Sequence, residues 1–151
     1  MRHELDLMWK GSTSNKRFAR DATAHPAGKP PLLVSCAPDF GGDPSHWNPH
    51  DLFGASVALC HMLAFLSLAS KARIDVRGYD DQVVTELDTV GGTTRVARVI
   101  LKPRIALAAG AAAGRAERFF HRASRHCIIG NSITAEVVLE PVFEVVSPAA
   151  P

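Results

Sequence analysis

The chain has 151 residues, of which 46% are apolar and 21% are charged, values typical of one globular domain. They exclude a small disulfide-stapled scaffold, a disordered tail and a multidomain protein. Seventeen Lys and Arg residues against fifteen Asp and Glu residues leave a net charge of +2, and the basic residues are scattered along the chain. We therefore expect no nucleic-acid partner.

The N-terminal segment carries no signal-peptide pattern. Arg2 is followed by an acidic residue and by alternating polarity rather than by an apolar core, which predicts a cytoplasmic protein. The alternation over residues 5–9 predicts a strand, and residues 18–23 are its predicted hairpin partner. Residues 25–48 are rich in Pro and Gly, which predicts a long irregular loop of the kind that often has a function.

A long helix is predicted after this loop. Asn48 is a favoured N-cap, Pro49 suits the first helical position, and Asp51 places negative charge in the first turn. The helix is expected to run to about residues 71–73. Its segment 52–69 has no charged side chain and reaches the lower limit of about 18 residues for a membrane span. Because that segment is rich in Ala and contains Gly, Ser, Cys and His, we favour a central helix buried by two sheets or by a partner subunit, with no membrane contact.

The second half of the chain alternates between β-rich and helical patterns. Residues 76–87 and 93–102 flank a Gly-Gly turn and predict a long hairpin, which Pro103 is expected to end. A second helix is predicted over residues 106–125, and one or two closing strands over residues 133–146. This order places the chain in the α+β class, as a single domain over residues 1–151.

Three cysteines, Cys36, Cys60 and Cys127, are the main candidates for chemistry. Cys60 lies about three turns into the long helix, where the field of the helix N-terminus has decayed. Burial alone raises the pKa of a thiol, so a reactive Cys60 would need a cation from elsewhere in the chain. Without such a partner, a cysteine in an apolar helix is most often a small core residue.

Cys127 follows the predicted second helix and could be presented to another thiol, or could equally be buried and inert. Two thiols that meet can pass from a sulfenic acid to a disulfide. Zinc is a rival, because Cys60-His61 and His126-Cys127 supply four possible ligands. Adjacent residues of a helix point about 100° apart, and the chain has no C-x-x-C spacing, so we expect no metal and interpret His61 as a core or interface residue.

Two cysteine segments carry a resemblance to a known family. Residues 48–53 (Asn-Pro-His-Asp-Leu-Phe) and 58–62 (Ala-Leu-Cys-His-Met) resemble the first-cysteine helix of the OsmC/Ohr family of thiol-dependent hydroperoxide peroxidases. Residues 127–132 (Cys-Ile-Ile-Gly-Asn-Ser) resemble the second-cysteine segment of that family. Residues 18–21 (Phe-Ala-Arg-Asp) resemble the strand that bears its arginine.

This resemblance implies an α+β, OsmC-like fold formed by an intertwined homodimer, with two sheets around long central helices. It implies that Cys60 attacks a peroxide and that Cys127 resolves the sulfenic acid to a Cys60–Cys127 disulfide. A dithiol, lipoyl-type in the Ohr branch, would then reduce the disulfide, with no bound cofactor. The same resemblance gives Arg20 the task of stabilising the Cys60 thiolate.

One position departs from the family pattern. His50 stands where the family typically has a glutamate that orients the arginine. Asp51 could take over that task, or His50 could act on Cys60 as a base or an ion-pair partner, although about 15 Å of helix separate them. Alternatively, His50 marks a branch with weak chemistry, which would make the protein a stress-associated binding dimer. We assign no role to Cys36.

Overall fold

The computed structural model describes residues 1–146, and they form two compact units. Unit 1 comprises residues 1–52, and unit 2 begins at residue 53. Both contain an antiparallel strand pair, and unit 2 adds helices and parallel strands. The predicted α+β class is thereby confirmed.

Unit 1 contains a three-stranded antiparallel sheet. Its strands are β1 (Leu5–Met8), β2 (Ala22–Pro26) and β3 (Leu32–Val34), with β2 in the centre. A 3₁₀ turn at Pro38–Phe40 follows.

The prediction was wrong about two parts of this sheet. The partner of β1 is residues 22–26 rather than 18–23, and β3 lies inside the segment predicted as an irregular loop. Phe18 and Ala19 instead contact the Trp9 side chain. The Trp9 indole N–H donates to the Ala19 carbonyl at 2.8 Å, and the Trp9 ring packs edge-on against Phe18. Pro26 is tolerated because it is the last residue of its strand.

The long helix α1 spans Pro49–Lys71, which confirms the predicted start and end. The Asn48 side-chain oxygen accepts hydrogen bonds from the backbone N–H groups of His50 at 2.9 Å and Asp51 at 3.1 Å. The Asn48 side-chain amide donates in return to the Asp51 carboxylate. This reciprocal cap satisfies donors that the first helical turn cannot pair.

Unit 2 is built on a long β-hairpin. β4 (Val76–Val90) pairs antiparallel with β5 (Thr93–Ala108), and β5 pairs in parallel with both β6 (Glu136–Leu139) and β7 (Val142–Val146). The second helix α2 spans Ala113–Ala123.

The expectation that Pro103 ends the hairpin was wrong. β6 pairs with β5 up to Leu101 and β7 starts pairing at Arg104, so Pro103 lies between the two partners, where its missing N–H costs little. On the other side, the Lys102 N–H donates to the Asp81 carboxylate at 2.8 Å. Because β5 continues to Ala108, α2 is also shorter than the predicted 106–125.

One face of α1 forms the core of unit 2. The following α1 residues are buried from Gly54 onward: Gly54, Val57, Ala58, His61, Phe65 and Ala69. They recur every three or four residues, the spacing of a single helix face. They pack with buried side chains of β5 and α2, among them Leu101, Ile105 and Phe120.

The other face of α1 is apolar and exposed in the single chain. Leu59 is 54% exposed and Leu63 is 52% exposed. By length and composition alone the helix could span a membrane, with a mean hydropathy of 2.0 over its most apolar window, of which 33% is buried in the chain. A core helix of a globular protein meets the same two criteria.

Gly54 lies where α1 approaches strand β4 closely. A Cβ atom there would collide with Thr85 Oγ1 and lie 3.3 Å from Val83 Cγ1. We expect Gly54→Ala to lower the free energy of unfolding by about 1–3 kcal/mol, because overpacking forces the strand or helix to shift. Urea unfolding at a fixed protein concentration measures this change.

Gly114 in α2 is the matched control, because a Cβ there meets no atom within 4 Å. Gly114→Ala should leave stability unchanged or raise it by up to about 1 kcal/mol through helix propensity. Equal stability of Gly54→Ala and the wild type would contradict the close helix–sheet contact.

Candidate active site

The fold brings Cys60 and Cys127 together within unit 2. Cys60 lies in the middle of α1, and Cys127 directly follows the 3₁₀ turn Ser124–His126 at the end of α2. The Ile129 N–H, two residues after Cys127, points to Cys60 Sγ at 3.5 Å. Both thiols are free, and the Cys60 thiol lies close enough to Cys127 to contribute to the raised pKa of Cys127.

The turn after Cys127 directs backbone donors at both sulfurs. The Gly130 N–H donates to Cys127 Sγ at 3.2 Å, beside the Ile129 N–H at Cys60. Successive N–H groups in a turn form a concavity that stabilises negative charge. Such donors stabilise negative charge without a charged side chain.

Gly130 allows this turn to approach the sulfur closely. A Cβ at position 130 would lie 3.1 Å from Cys127 Sγ, tighter than ordinary van der Waals contact. The glycine of the Cys-Ile-Ile-Gly segment is therefore a sequence signal for a turn whose backbone N–H groups approach a side chain closely. The sequence does not identify the atom that these N–H groups face.

The two thiols differ in environment. Cys127 is 3% exposed, whereas Cys60 is partly exposed. Burial raises the pKa of Cys127; the Gly130 N–H opposes this effect, and the Cys60 thiol beside it adds to it. At neutral pH Cys127 is therefore held as a thiol, and Cys60 is the residue that a solute can reach.

His61 is a core residue, as predicted. Its side chain is 1% exposed, and its ring packs edge-on against Phe120 with centroids 4.5 Å apart. Burial, with a smaller contribution from the nearby His121, lowers the pKa of His61 to about 4. The ring is therefore neutral at pH 7, and its Nε2 lies 3.5 Å from the Ser124 hydroxyl next to the Cys127 turn.

Arg20 belongs to unit 1, as do the other predicted polar site residues. Its guanidinium lies over the Phe18 ring at 4.5 Å from the centroid, a cation–π contact. Arg20, Phe18 and Trp9 line a cavity of about 230 Å³ together with Thr13 and Cys36. The thiol that sequence reasoning left without a role thus lines the same cavity as Arg20, where it donates a hydrogen bond to the Phe40 carbonyl at 3.2 Å.

His50 and Asp51, at the start of α1, contact different neighbours. The Asp51 carboxylate accepts a hydrogen bond from the Asn48 side-chain amide and so supports the N-cap residue. The His50 ring lies 6.1 Å from the Phe40 ring.

Comparison with known proteins identifies the family of this chain. The sequence profile of the OsmC-like protein family matches residues 42–141, which include both cysteine segments. An OsmC-like protein of unknown function from Vibrio cholerae is 30% identical, with 94% of this chain and 99% of that chain covered and a TM-score of 0.86. The chain belongs to the OsmC-like family. The resemblance predicted from the two cysteine segments is thus confirmed.

More distant OsmC-like relatives share the fold. An organic hydroperoxide resistance protein from Legionella pneumophila is 18% identical, with 96% of this chain and 98% of that chain covered and a TM-score of 0.66. The organic hydroperoxide resistance protein of Bacillus subtilis is 15% identical, with 95% and 98% covered and a TM-score of 0.63. No protein with a curated function matches the chain.

The environments of the two cysteines in this OsmC-like protein predict an order of reactivity. Cys60 should be alkylated by iodoacetamide at pH 7 more than about tenfold faster than Cys127, because Cys127 is buried and the thiolate is the reactive form. Timed quenching followed by peptide mass spectrometry measures both rates in one sample. Faster modification of Cys127 would contradict the described geometry.

Proposed function

We propose that this protein is a thiol-dependent peroxidase that reduces organic hydroperoxides or hydrogen peroxide. The observation that carries the proposal is the meeting of an accessible thiol, Cys60, with a buried thiol, Cys127, under two backbone N–H donors. Membership of the OsmC-like family and the names of its hydroperoxide resistance relatives support it.

In the first step the Cys60 thiolate attacks the terminal oxygen of the peroxide. The O–O bond breaks, Cys60 becomes a sulfenic acid, and the other oxygen leaves as an alkoxide or hydroxide that takes up a proton. The Ile129 N–H, 3.5 Å from Cys60 Sγ, is a hydrogen-bond donor to the attacking sulfur.

In the second step Cys127 attacks the sulfenic sulfur of Cys60. Water leaves, and the two sulfurs form a disulfide. The raised pKa of Cys127 favours its thiol form over the thiolate. An external dithiol then reduces the disulfide by two exchange reactions and becomes oxidised itself; a lipoyl-type dithiol is our candidate. A cytoplasmic location, where thiols stay reduced, fits this cycle.

The stable unit is proposed to be a homodimer. Proteins of the OsmC/Ohr family are commonly dimeric, and the exposed face of α1 presents Leu59 and Leu63. An exposed apolar face on a helix of this length is typical of a surface that another protein covers. A second copy of the chain would bury it, as the predicted central helix requires.

Variants of the three cysteines test the peroxidase cycle. Cys60→Ser should abolish turnover of cumene hydroperoxide, because the attacking atom is gone. Cys127→Ser should still be oxidised once and leave a sulfenic acid that dimedone traps. Cys36→Ser, the control for loss of a thiol elsewhere, should retain turnover. Stopped-flow mixing and thiol titration measure each outcome.

An unchanged thiol titre of the wild type after excess peroxide would contradict the proposal. It would favour the alternative of a binding dimer that kept the fold and lost the chemistry.

The dimer is tested at the exposed face of α1. The wild type should elute with a mass of two chains of 16.2 kDa each in size-exclusion chromatography with light scattering. Leu63→Glu should shift the protein toward the monomer or reduce its solubility, because a buried unpaired charge is costly. Val90→Glu, at an exposed apolar position in the β4–β5 hairpin, is the control and should stay dimeric. A monomeric wild type would contradict the proposal.

A further inference from the structure

Unit 1 holds a second cluster of reactive side chains, apart from the thiol pair. Asp21, Asp43 and His46 each offer one ligand atom, and these atoms lie within 4.8 Å of one another. His46 Nδ1 lies 3.5 Å from the Asp21 carboxylate. Among the described residues, this is the one group of three His, Cys, Asp or Glu side chains that lie close enough together to share one ion.

Strand pairing builds this cluster from two segments that are distant in sequence. Ala22 pairs with Val34 in the β2–β3 register, which places Asp21 at the end of β3. On the other side, Val34 forms a bridge with Trp47, and the Ser35 N–H donates to the Trp47 carbonyl at 2.8 Å. His46, next to Trp47, is therefore fixed by backbone hydrogen bonds to the same strand end.

The loop that carries Asp43 is closed by its own hydrogen bonds. The Ser45 hydroxyl and N–H donate to the Asp43 carboxylate at 2.6 and 2.8 Å. The Asp43 N–H donates to the hydroxyl of Ser35, and the His46 N–H to the Asp43 carbonyl. The Ser45 hydrogen bonds also lower the pKa of Asp43. The carboxylate is thus charged and oriented at neutral pH.

His46 provides the second observation. Its Nδ1 is buried and has no hydrogen-bond partner among the described residues, although its side chain retains 21% exposure. At 3.5 Å the Asp21 oxygen is close enough for an ion pair but does not meet hydrogen-bond geometry. Leaving a buried ring nitrogen unpaired costs free energy, and an ion between this nitrogen and the carboxylates would satisfy it.

The donor set indicates the class of ion. One imidazole nitrogen and two carboxylate oxygens suit divalent first-row metals such as Mn²⁺, Co²⁺ and Zn²⁺, with the remaining coordination positions open to water. The two carboxylates would balance the charge of a divalent ion. Three ligands on short, hydrogen-bonded segments require little reorganisation on binding.

We propose that Asp21, Asp43 and His46 form a binding site for a divalent first-row transition metal ion. The site is distinct from Cys60 and Cys127 and does not depend on the peroxidase proposal. Asp21 directly follows Arg20, so an ion bound here would restrain the backbone of the segment that carries Arg20.

Titration calorimetry of the full chain with Mn²⁺ tests the site, because this ion prefers oxygen and nitrogen to thiolate ligands. We expect one ion per chain. Asp21→Asn and His46→Gln should each weaken binding by more than about tenfold, the loss seen even for residues that only support metal ligands. Asp39→Asn, a carboxylate of the same loop outside the cluster, should bind as the wild type does.

A Co²⁺ titration separates this site from the cysteines. Binding at the cluster should produce no thiolate-to-cobalt charge-transfer absorption. Absence of binding at millimolar Mn²⁺ and Co²⁺, binding unchanged by Asp21→Asn, or a thiolate band on the first equivalent of Co²⁺ would each overturn the proposal. Because Asp21 is an exposed residue, Asp21→Asn should fold, and circular dichroism checks this.

Discussion

The packing of one face of α1 against β5 and α2 is the contact on which unit 2 depends. Its buried residues, from Val57 through Phe65, form a core with Leu101 and Phe120. At roughly 25 cal/mol per Å² of buried apolar area, such a face is a main source of stability. Gly54 lets the helix approach the sheet closely. The position of α1 fixes the position of every side chain along it, including that of Cys60.

The same packing accounts for the difference between the two thiols. Cys60 lies on α1 between exposed Leu59 and buried His61, so it is at the border of the core and remains partly accessible. Cys127 is carried into the core by α2 and the turn after it. The Ile129 N–H then reaches Cys60 from the segment of Cys127. A partly accessible thiol at the core border and a buried thiol inside it form an asymmetric pair, which suits the proposed order of attack and resolution.

Local signals predicted the elements that local interactions stabilise. The Asn48 cap gave the start of α1 correctly, because capping involves residues within one turn. The Gly-Gly turn gave the β4–β5 hairpin for the same reason. The prediction failed where a distant partner decides. β3 is short and lies in a Pro-rich stretch, and it is a strand because β2 and Trp47 pair with it. Pro103 stays within β5 because its neighbours across the sheet do not need its missing N–H.

The sequence by itself determined the α+β class, the central helix, and the two cysteine segments that mark the OsmC-like family. The class and the helix follow from periodicity and capping within short stretches of chain, whereas the two cysteine segments mark the family by their resemblance to it. Only the tertiary structure decided that Cys60 and Cys127 meet under backbone donors and that Cys36 lines a cavity with Arg20. It also brought Asp21, Asp43 and His46 to one strand end. Backbone N–H groups carry no residue-type signature, and side chains from segments that are distant in sequence become neighbours only through strand pairing and packing.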